Sequence, residues 1–419
     1  MMRCDMAEKI YGLLGESLQH SWSVPIHQEL GCADYRLYEV PSSGLRDFLE
    51  TNEIGGLNVT IPYKKTVIPF CATLDDNARE IGAVNTIIRD SSGGLRGYNT
   101  DAFGFSYLAK RAGIRFNDAK VVILGTGGAS LTAQSVARRE GASQVVCISR
   151  KNEPTYDRLP DFADADILVN ATPVGMYPDT GDSPVDLTVF RSLKGVIDVI
   201  YNPIRTALIL QAEKLGIPHS DGLPMLVAQA VEAERIFTGN DIPDLEIERI
   251  LTKLRREMLN VVIIGMPGSG KTTIGKLLGE KTGRKVVDFD TEVEKTTGKT
   301  IPSIFAESGE EVFRNLESKI VRKYGKESGL VLVTGGGAVT RQENYDPLHQ
   351  NGIIYQLERD TSKLPREGRP ISLSVDLDDL FQRRMAKYEA FRDSVVDNNG
   401  TPEEAAEDLW RNFLENTGN

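Results

Sequence analysis

Residues Gly265-Met266-Pro267-Gly268-Ser269-Gly270-Lys271-Thr272-Thr273 satisfy G-x-x-x-x-G-K-[ST] at every position. The apolar run Val261 to Ile264 precedes them and a helical pattern from Ile274 follows, which is the strand, loop and helix setting of a phosphate-cradling loop. The glycines let the backbone curl so that several N–H groups point at phosphate oxygens, while the following helix N-terminus adds positive potential. Lys271 adds a point charge and Thr272 a hydroxyl for Mg²⁺, so Gly265, Gly268, Ser269, Gly270, Lys271, Thr272 and Thr273 form a nucleotide-binding set. Downstream, Val286-Val287-Asp288-Phe289-Asp290 reads as a strand that delivers two acids to one end, a pattern suited to Mg²⁺ and to substrate hydroxyls.

A second glycine turn, Gly125-Thr126-Gly127-Gly128-Ala129-Ser130, follows the apolar run Val121 to Leu124 and leads into a helical pattern through Ala133, Val136 and Ala137. That is the arrangement of a dinucleotide-binding βαβ unit, with Ser130 where the generic fingerprint has Gly or Ala. The next strand, Gln144 to Ile148, ends in Ser149-Arg150-Lys151. An acid there would hold ribose hydroxyls; two cations suit a 2′-phosphate, which predicts NADP in preference to NAD. Earlier in the chain lie Ser21-Trp22-Ser23, then Asn58-Val59-Thr60-Ile61-Pro62-Tyr63-Lys64, Gly82-Ala83-Val84-Asn85-Thr86 and Asn99-Thr100-Asp101. Taken singly, each of these is ordinary cap or turn chemistry.

These groups need scaffolds. A chain of 419 residues is long for one domain at about 150 residues each. Its 40% hydrophobic and 26% charged content suits globular α/β domains, and strand-like and helix-like stretches alternate throughout. A net charge of -11 argues against nucleic acid as a main partner. The 4 cysteines and 4 histidines are scattered without metal-ligand or disulfide spacing. No apolar run approaches the roughly 20 residues of a membrane helix, and Met1 to Asp5 lacks a signal-peptide core; a cytoplasmic protein is expected. The charged helical stretch from Leu245 to Met258 joins the two halves without a flexible linker.

Together, in order and spacing, Ser21-x-Ser23, Asn58-x-Thr60-x-Pro62-x-Lys64, Gly82 to Thr86, Asn99-Thr100-Asp101, Gly125-x-Gly127-Gly128-Ala129 and Gly222 to Gln229 resemble the shikimate dehydrogenase family over nearly all of residues 8 to 257. The resemblance implies that Ser21, Ser23, Thr60, Asn85, Tyr201 and Gln229 surround the substrate, that Gly222 lies near the nicotinamide, and that Lys64 and Asp101 are the catalytic pair. By it, Gly125, Gly127, Gly128, Ala129, Ser149, Arg150 and Lys151 meet NADP(H). Val24 stands before Pro25, where the family has Pro directly after the second serine.

Residues 259 to about 410 resemble shikimate kinase through the phosphate loop, the Asp288 and Asp290 strand, Gly309 to Glu317, Gly335-Gly336-Gly337, Arg369-Pro370 and Arg384 to Tyr388. This implies ATP and Mg²⁺ as cofactors, with Thr272 and Asp288 at the metal and Asp290, Arg314, Gly336, Gly337 and Arg384 at shikimate. Lys271 and Arg369 would meet the phosphates. The lid before Arg369 is shorter than the family's and contains Pro365; Arg366 is its candidate for stacking on adenine.

The expected fold class is therefore α/β: a two-domain dehydrogenase, with an α/β substrate domain and a Rossmann-like NADP domain, followed by a P-loop kinase domain with a parallel sheet. The expected boundaries are 1–101, completed by helices at about 223–257, then 102–222, then 258–419. The expected function is NADPH-dependent reduction of 3-dehydroshikimate to shikimate, followed by ATP- and Mg²⁺-dependent phosphorylation of shikimate at the 3-position. The alternative is a quinate/shikimate dehydrogenase carrying a weakened or non-catalytic P-loop module.

Overall fold

A computed structural model describes residues 9–18, 21–364 and 377–418. The chain clusters into two compact units. The first comprises Met1–Val174, Ser183–Tyr201 and Gln211–Leu251; the second comprises Gly175–Asp182, Asn202–Leu210 and Thr252–Asn419.

The first unit holds two sheets. One contains β1 (Ile10–Gly15), β2 (Tyr35–Glu39), β3 (Ile54–Val59), β4 (Cys71–Leu74), β5 (Thr86–Arg89) and β6 (Leu95–Tyr98), in the order β2-β1-β3-β5-β6-β4. β1 runs parallel to β2 and β3, whereas β5 is antiparallel to both β3 and β6. The other is a wholly parallel sheet of β7 (Lys120–Leu124), β8 (Gln144–Ile148), β9 (Ile167–Asn170), β10 (Gly195–Asp198) and β11 (His219–Ser220), ordered β11-β10-β9-β7-β8. Strands covered on both faces read as continuous apolar runs rather than alternating ones. Accordingly β9 and β10 are buried at every position. The order reverses direction beside β7, and ligands of open α/β sheets lie at the carboxyl ends of strands there.

The second unit is built on a parallel sheet of β12 (Asn260–Gly265), β13 (Val286–Asp288), β14 (Val331–Val333), β15 (Gly352–Glu358) and β16 (Ser394–Asp397), ordered β13-β14-β12-β15-β16. The central β12 is buried along its whole length. Its core joins Val262, Ile264, Phe289, Val321, Leu332 and Ile354.

The same unit takes in two short segments from the middle of the chain. Asn351, fully buried, accepts from Ile204 N at 2.8 Å through Oδ1, and its Nδ2 donates to Lys326 O at 3.0 Å. Arg205 N donates to Gln350 O at 2.9 Å. The chain passes from the first unit to the second inside the Leu245–Met258 helix. Among the described residues no helix is long and apolar enough to cross a membrane.

Two local readings change. The strand expected through Asp290 stops at Asp288, whose side chain caps the Phe289–Thr297 helix by accepting from Thr291 N at 3.2 Å. A carboxylate that satisfies an orphan N–H ends the strand and starts the helix, so Asp288 sits at the cap and Asp290 in the first turn. Neither serine of Ser21-x-Ser23 caps a helix: Trp22 is the N-cap without a side-chain bond, and Ser23 is the first residue of the Ser23–Glu29 helix.

Candidate functional site

In the first unit, Lys64 lies in the short Tyr63–Thr66 helix just past β3, and Asp101 opens the Asp101–Arg111 helix. Lys64 Nζ is 2.5 Å from Asp101 Oδ2. A carboxylate in a first helical turn is favoured by the helix dipole, and the other oxygen is held as well: Asn85 Nδ2 donates to Asp101 Oδ1 at 2.9 Å. Asn85 is itself oriented by Thr100 N, which donates to its Oδ1 at 2.7 Å. Because a backbone N–H can only donate, the amide orientation follows from the geometry. Thr100 Oγ1 reaches Gln229 Oε1 at 3.4 Å, which brings the Leu223–Thr238 helix to the same place.

Lys64, Asn85, Asp101 and Gln229 are thus gathered from four separate stretches. Ser21 and Ser23 are joined by Ser23 N donating to Ser21 Oγ at 3.2 Å. Thr60 N continues the sheet by donating to Leu14 O at 2.9 Å. Tyr201 follows β10, and burial raises its phenol pKa.

The glycine turn runs from β7 into the Gly128–Arg139 helix, with Gly127 as N-cap. Gly125 has φ +104°, and a Cβ there would stand 2.8 Å from Ala171 O, so only glycine fits. A Cβ on Gly127 would meet nothing within 4 Å, which leaves an open cradle at the helix N-terminus of the kind a pyrophosphate fits. A Cβ on Gly128 would lie 3.8 Å from Lys64 Cδ, so this turn abuts the lysine. Ala129 follows it in the first turn of the helix. Ser130, in the third fingerprint position, is fully buried with its Oγ 3.5 Å from Cys147 Sγ; the hydroxyl fits the helix-to-strand contact usually made by a smaller residue. Past β8, Ser149 Oγ accepts from Asn152 N at 2.7 Å, shaping a turn that leaves Arg150 and Lys151 exposed. Gly222 packs so closely that a Cβ would stand 2.0 Å from Val199 O.

In the second unit the phosphate loop links β12 to the Lys271–Thr282 helix, with left-handed φ at Gly265, Gly268 and Gly270. Lys271 is buried, its Nζ donating to Gly265 O at 2.8 Å and Met266 O at 2.9 Å. Ser269 Oγ is buried without a hydrogen-bond partner, a polar atom that a phosphate oxygen would satisfy. Thr272 Oγ1 donates to Asp288 Oδ2 at 2.8 Å. Among the described residues no cluster of three or more metal-ligating side chains exists. The Thr272 and Asp288 pair fits Mg²⁺, which takes few protein ligands and completes its shell with water and phosphate.

Opposite this loop, Gly335-Gly336-Gly337 brings acids and arginines together. A Cβ on Gly335 would stand 2.3 Å from Glu317 Oε1 and 2.8 Å from Asp290 Oδ1; one on Gly336 would meet Pro267 of the phosphate loop at 2.7 Å. Arg314, on the Ile301–Gly325 helix, pairs with Glu317 at 2.7 Å and Glu310 at 3.0 Å. Arg384 Nη1 donates to Gly336 O at 2.9 Å, as does Tyr388 OH at 2.6 Å. Burial raises the Glu317 carboxyl pKa despite the Arg314 charge beside it. Glu317 has no role in the sequence reading, although its position three residues after Arg314 on one helical face is the signal that places it there. Pro365, Arg366 and Arg369 lie outside the described residues.

A lysine held by a carboxylate against a dinucleotide turn defines a hydride-transfer oxidoreductase, and a phosphate loop facing acids and arginines defines a phosphoryl-transfer module. A family model described as Shikimate dehydrogenase substrate binding domain matches residues 13–87, and one described as Shikimate kinase matches residues 267–413. Shikimate dehydrogenase (NADP(+)) of Clostridium beijerinckii is 35% identical over 249 residues, covering 55% of this chain and 92% of that protein. A solved chorismate mutase/shikimate 5-dehydrogenase fusion protein from Clostridium acetobutylicum is 35% identical with a TM-score of 0.56, over 59% of this chain and 96% of its own. Shikimate 5-dehydrogenase from Thermus thermophilus, solved in complex with NADP(H) and shikimate, is 29% identical with a TM-score of 0.52, over 58% of this chain and 98% of its own.

The chain belongs to the shikimate dehydrogenase family and carries a shikimate kinase domain behind that part. It is a bifunctional enzyme of the shikimate pathway, with NADP(H), ATP and Mg²⁺ as its cofactors.

Proposed function

We propose that Lys64 and Asp101 carry the reduction of 3-dehydroshikimate and that Asp290 and Lys271 carry the phosphorylation of the shikimate formed. The observation that supports the first assignment most is the 2.5 Å contact of Lys64 Nζ with Asp101 Oδ2 beside Gly128. Bound NADPH supplies the hydride. As charge develops on the ketone oxygen, the Lys64 ammonium stabilises it and delivers a proton, while Asp101 holds and orients the ammonium. Ser21, Ser23, Thr60, Asn85, Tyr201 and Gln229 hold the ring, and Gly222 lies near the nicotinamide. An assay of 3-dehydroshikimate with NADPH and ATP, trapping free shikimate, tests both steps together; absence of NADPH oxidation or of ATP consumption would refute the corresponding half.

Arg150 and Lys151 are assigned to the 2′-phosphate. Arg150→Ala is expected to weaken NADPH by roughly 10- to 100-fold, the loss of one charged hydrogen-bonding group, and to leave NADH nearly unchanged. Equal losses for the two cofactors would remove that assignment. Running shikimate with NADP⁺ beside quinate with NAD⁺ separates this reading from a quinate-oxidising one.

In the kinase half, bound ATP and Mg²⁺ supply the phosphoryl group and charge neutralisation. Lys271 and Thr272 hold the phosphate end, Asp288 completes the metal environment and Asp290 accepts the hydroxyl proton. Arg314 and Arg384 have the fork geometry for a substrate carboxylate, and Gly336 and Gly337 let the ring approach. Arg369 is proposed to meet the phosphates. A Cβ on Gly337 would stand 2.1 Å from Arg314 Nη2. Gly337→Ala should therefore displace the guanidinium and raise KM for shikimate about tenfold or more, with reduction unaffected; an unchanged KM would remove Arg314 from the acceptor site.

The proposed domain division remains 1–101 with about 223–257, 102–222 and 258–419. Small cyclic hydroxy acids are the partners it requires.

A further inference from the structure

The Leu377–Phe391 helix carries Arg384 and Tyr388 four residues apart, so the two share a face. Both point at one atom. Arg384 Nη1 donates to Gly336 O at 2.9 Å, and Tyr388 OH donates to the same oxygen at 2.6 Å. A carbonyl oxygen has two lone pairs, and these two donors take both. Arg384 is assigned above to the substrate carboxylate, whereas neither reaction gives Tyr388 a part.

Tyr388 is 1% exposed. Burial pushes its phenol pKa up to about 12, so the hydroxyl keeps its proton at neutral pH and serves as a donor. A phenylalanine would fill the same space with no polar atom to bury, and a buried hydroxyl is costly unless it is bonded. Here the bond goes to a turn of three glycines.

What the hydroxyl restrains is the peptide between Gly336 and Gly337. In a planar trans peptide the N–H lies opposite the C=O, so holding Gly336 O also sets the direction of the Gly337 N–H. Glycine leaves φ and ψ wide, and three in succession must be fixed from outside. Gly335 O accepts from Ala338 N at 3.2 Å, which steadies the first peptide of the turn; the helix steadies the second. A Cβ on Gly337 would stand 2.1 Å from Arg314 Nη2, so this peptide lies against the guanidinium assigned to the substrate. The Tyr388 hydroxyl is also 3.8 Å from Met266 Sδ, and a Cβ on Gly336 would meet Pro267 at 2.7 Å. The glycine turn and the phosphate loop are therefore packed together beside this hydroxyl.

We infer that Tyr388 is a positioning residue for the kinase: its hydroxyl fixes the Gly336–Gly337 peptide so that the Gly337 N–H is presented to an oxygen of shikimate. The inference rests on the reading of Gly336 and Gly337 as shikimate contacts. Fully buried, Tyr388 acts through the turn and not by contact with shikimate or ATP.

The test is steady-state phosphorylation of shikimate by the full chain for the wild type, Tyr388→Phe, Gly337→Ala and the double variant, with NADP⁺-dependent shikimate oxidation followed on the same preparations. Tyr388→Phe keeps the ring and its packing. It is expected to raise KM for shikimate about tenfold, the effect of one hydrogen bond, with KM for ATP and the oxidation rate unchanged. Because Gly337→Ala already displaces the turn, the double variant should be little worse than Gly337→Ala alone. A wild-type KM for shikimate in Tyr388→Phe, beside a raised one in Gly337→Ala, overturns the inference and leaves the reading of the turn standing. Penalties that simply add in the double variant overturn it too. A wild-type KM in Gly337→Ala overturns the reading of the turn, and the inference with it. Should Tyr388→Phe raise KM for ATP as much as that for shikimate, the tyrosine supports the kinase fold at large and the positioning role is likewise overturned.

Discussion

Lys64→Ala is expected to lower the rate of 3-dehydroshikimate reduction by about 10² to 10⁴-fold, the usual contribution of one general acid, while ATP-dependent phosphorylation of shikimate proceeds at the wild-type rate. Lys64 is the cation that stands against both the dinucleotide turn, through Gly128, and the Asp101 carboxylate. Its removal takes away the proton donor and leaves Asp101, a buried carboxylate, without its ion pair. A carboxylate near a developing oxyanion works against the reaction, so the loss should fall on kcat more than on KM. Measuring NADPH oxidation and ADP release separately on one preparation checks it. Loss of both activities in a folded variant would show that the two reactions do not have independent catalytic groups.

Asp290→Asn is expected to do the converse: phosphoryl transfer falls by about 10² to 10⁴-fold and reduction is untouched. Asparagine keeps the shape and hydrogen-bonding reach of the side chain, so the variant isolates the ability to take a proton. Two acids lie beside Gly335, and their surroundings differ. Glu317 is nearly fully buried, with its carboxyl pKa raised by that burial and by the Asp290 charge, against the pull of Arg314. Glu317 is taken up by Arg314 at 2.7 Å, which leaves Asp290 as the proposed acceptor of the hydroxyl proton. Single-turnover transfer from ATP to shikimate, compared with shikimate binding by calorimetry, separates the two. A normal transfer rate in Asp290→Asn would refute the base assignment.

The phosphate loop and the dinucleotide turn were legible because each is a local device: strand, glycines and helix are contiguous, and the chemistry resides in backbone N–H groups whose directions follow from φ and ψ. The same holds for the apolar runs of β9, β10 and β12, buried on both faces. Less legible were elements decided by competition among neighbours. Asp288 could extend a strand or cap a helix; the unpaired Thr291 N–H decided for the cap. Ser130 departs from the local dinucleotide fingerprint because its hydroxyl packs 3.5 Å from Cys147 Sγ, a neighbour 17 positions away.

Local sequence alone dictates which backbone loops can cradle phosphates, which cations follow β8, and the succession of two unlike α/β halves, because these depend on residues within one turn or strand of each other. Which side chains meet is set by the folded chain as a whole. Lys64 and Asp101 are 37 positions apart, and Asn58 and Tyr35 meet from different strands. Glu234 reaches His27 across 207 positions. It was also the tertiary structure that placed Gly175–Asp182 and Asn202–Leu210 in the second unit, where Asn351 and Gln350 bond the latter segment. Such pairings are set by sheet order and by the need to satisfy every buried polar group, and these are properties of the whole fold that no local spacing encodes.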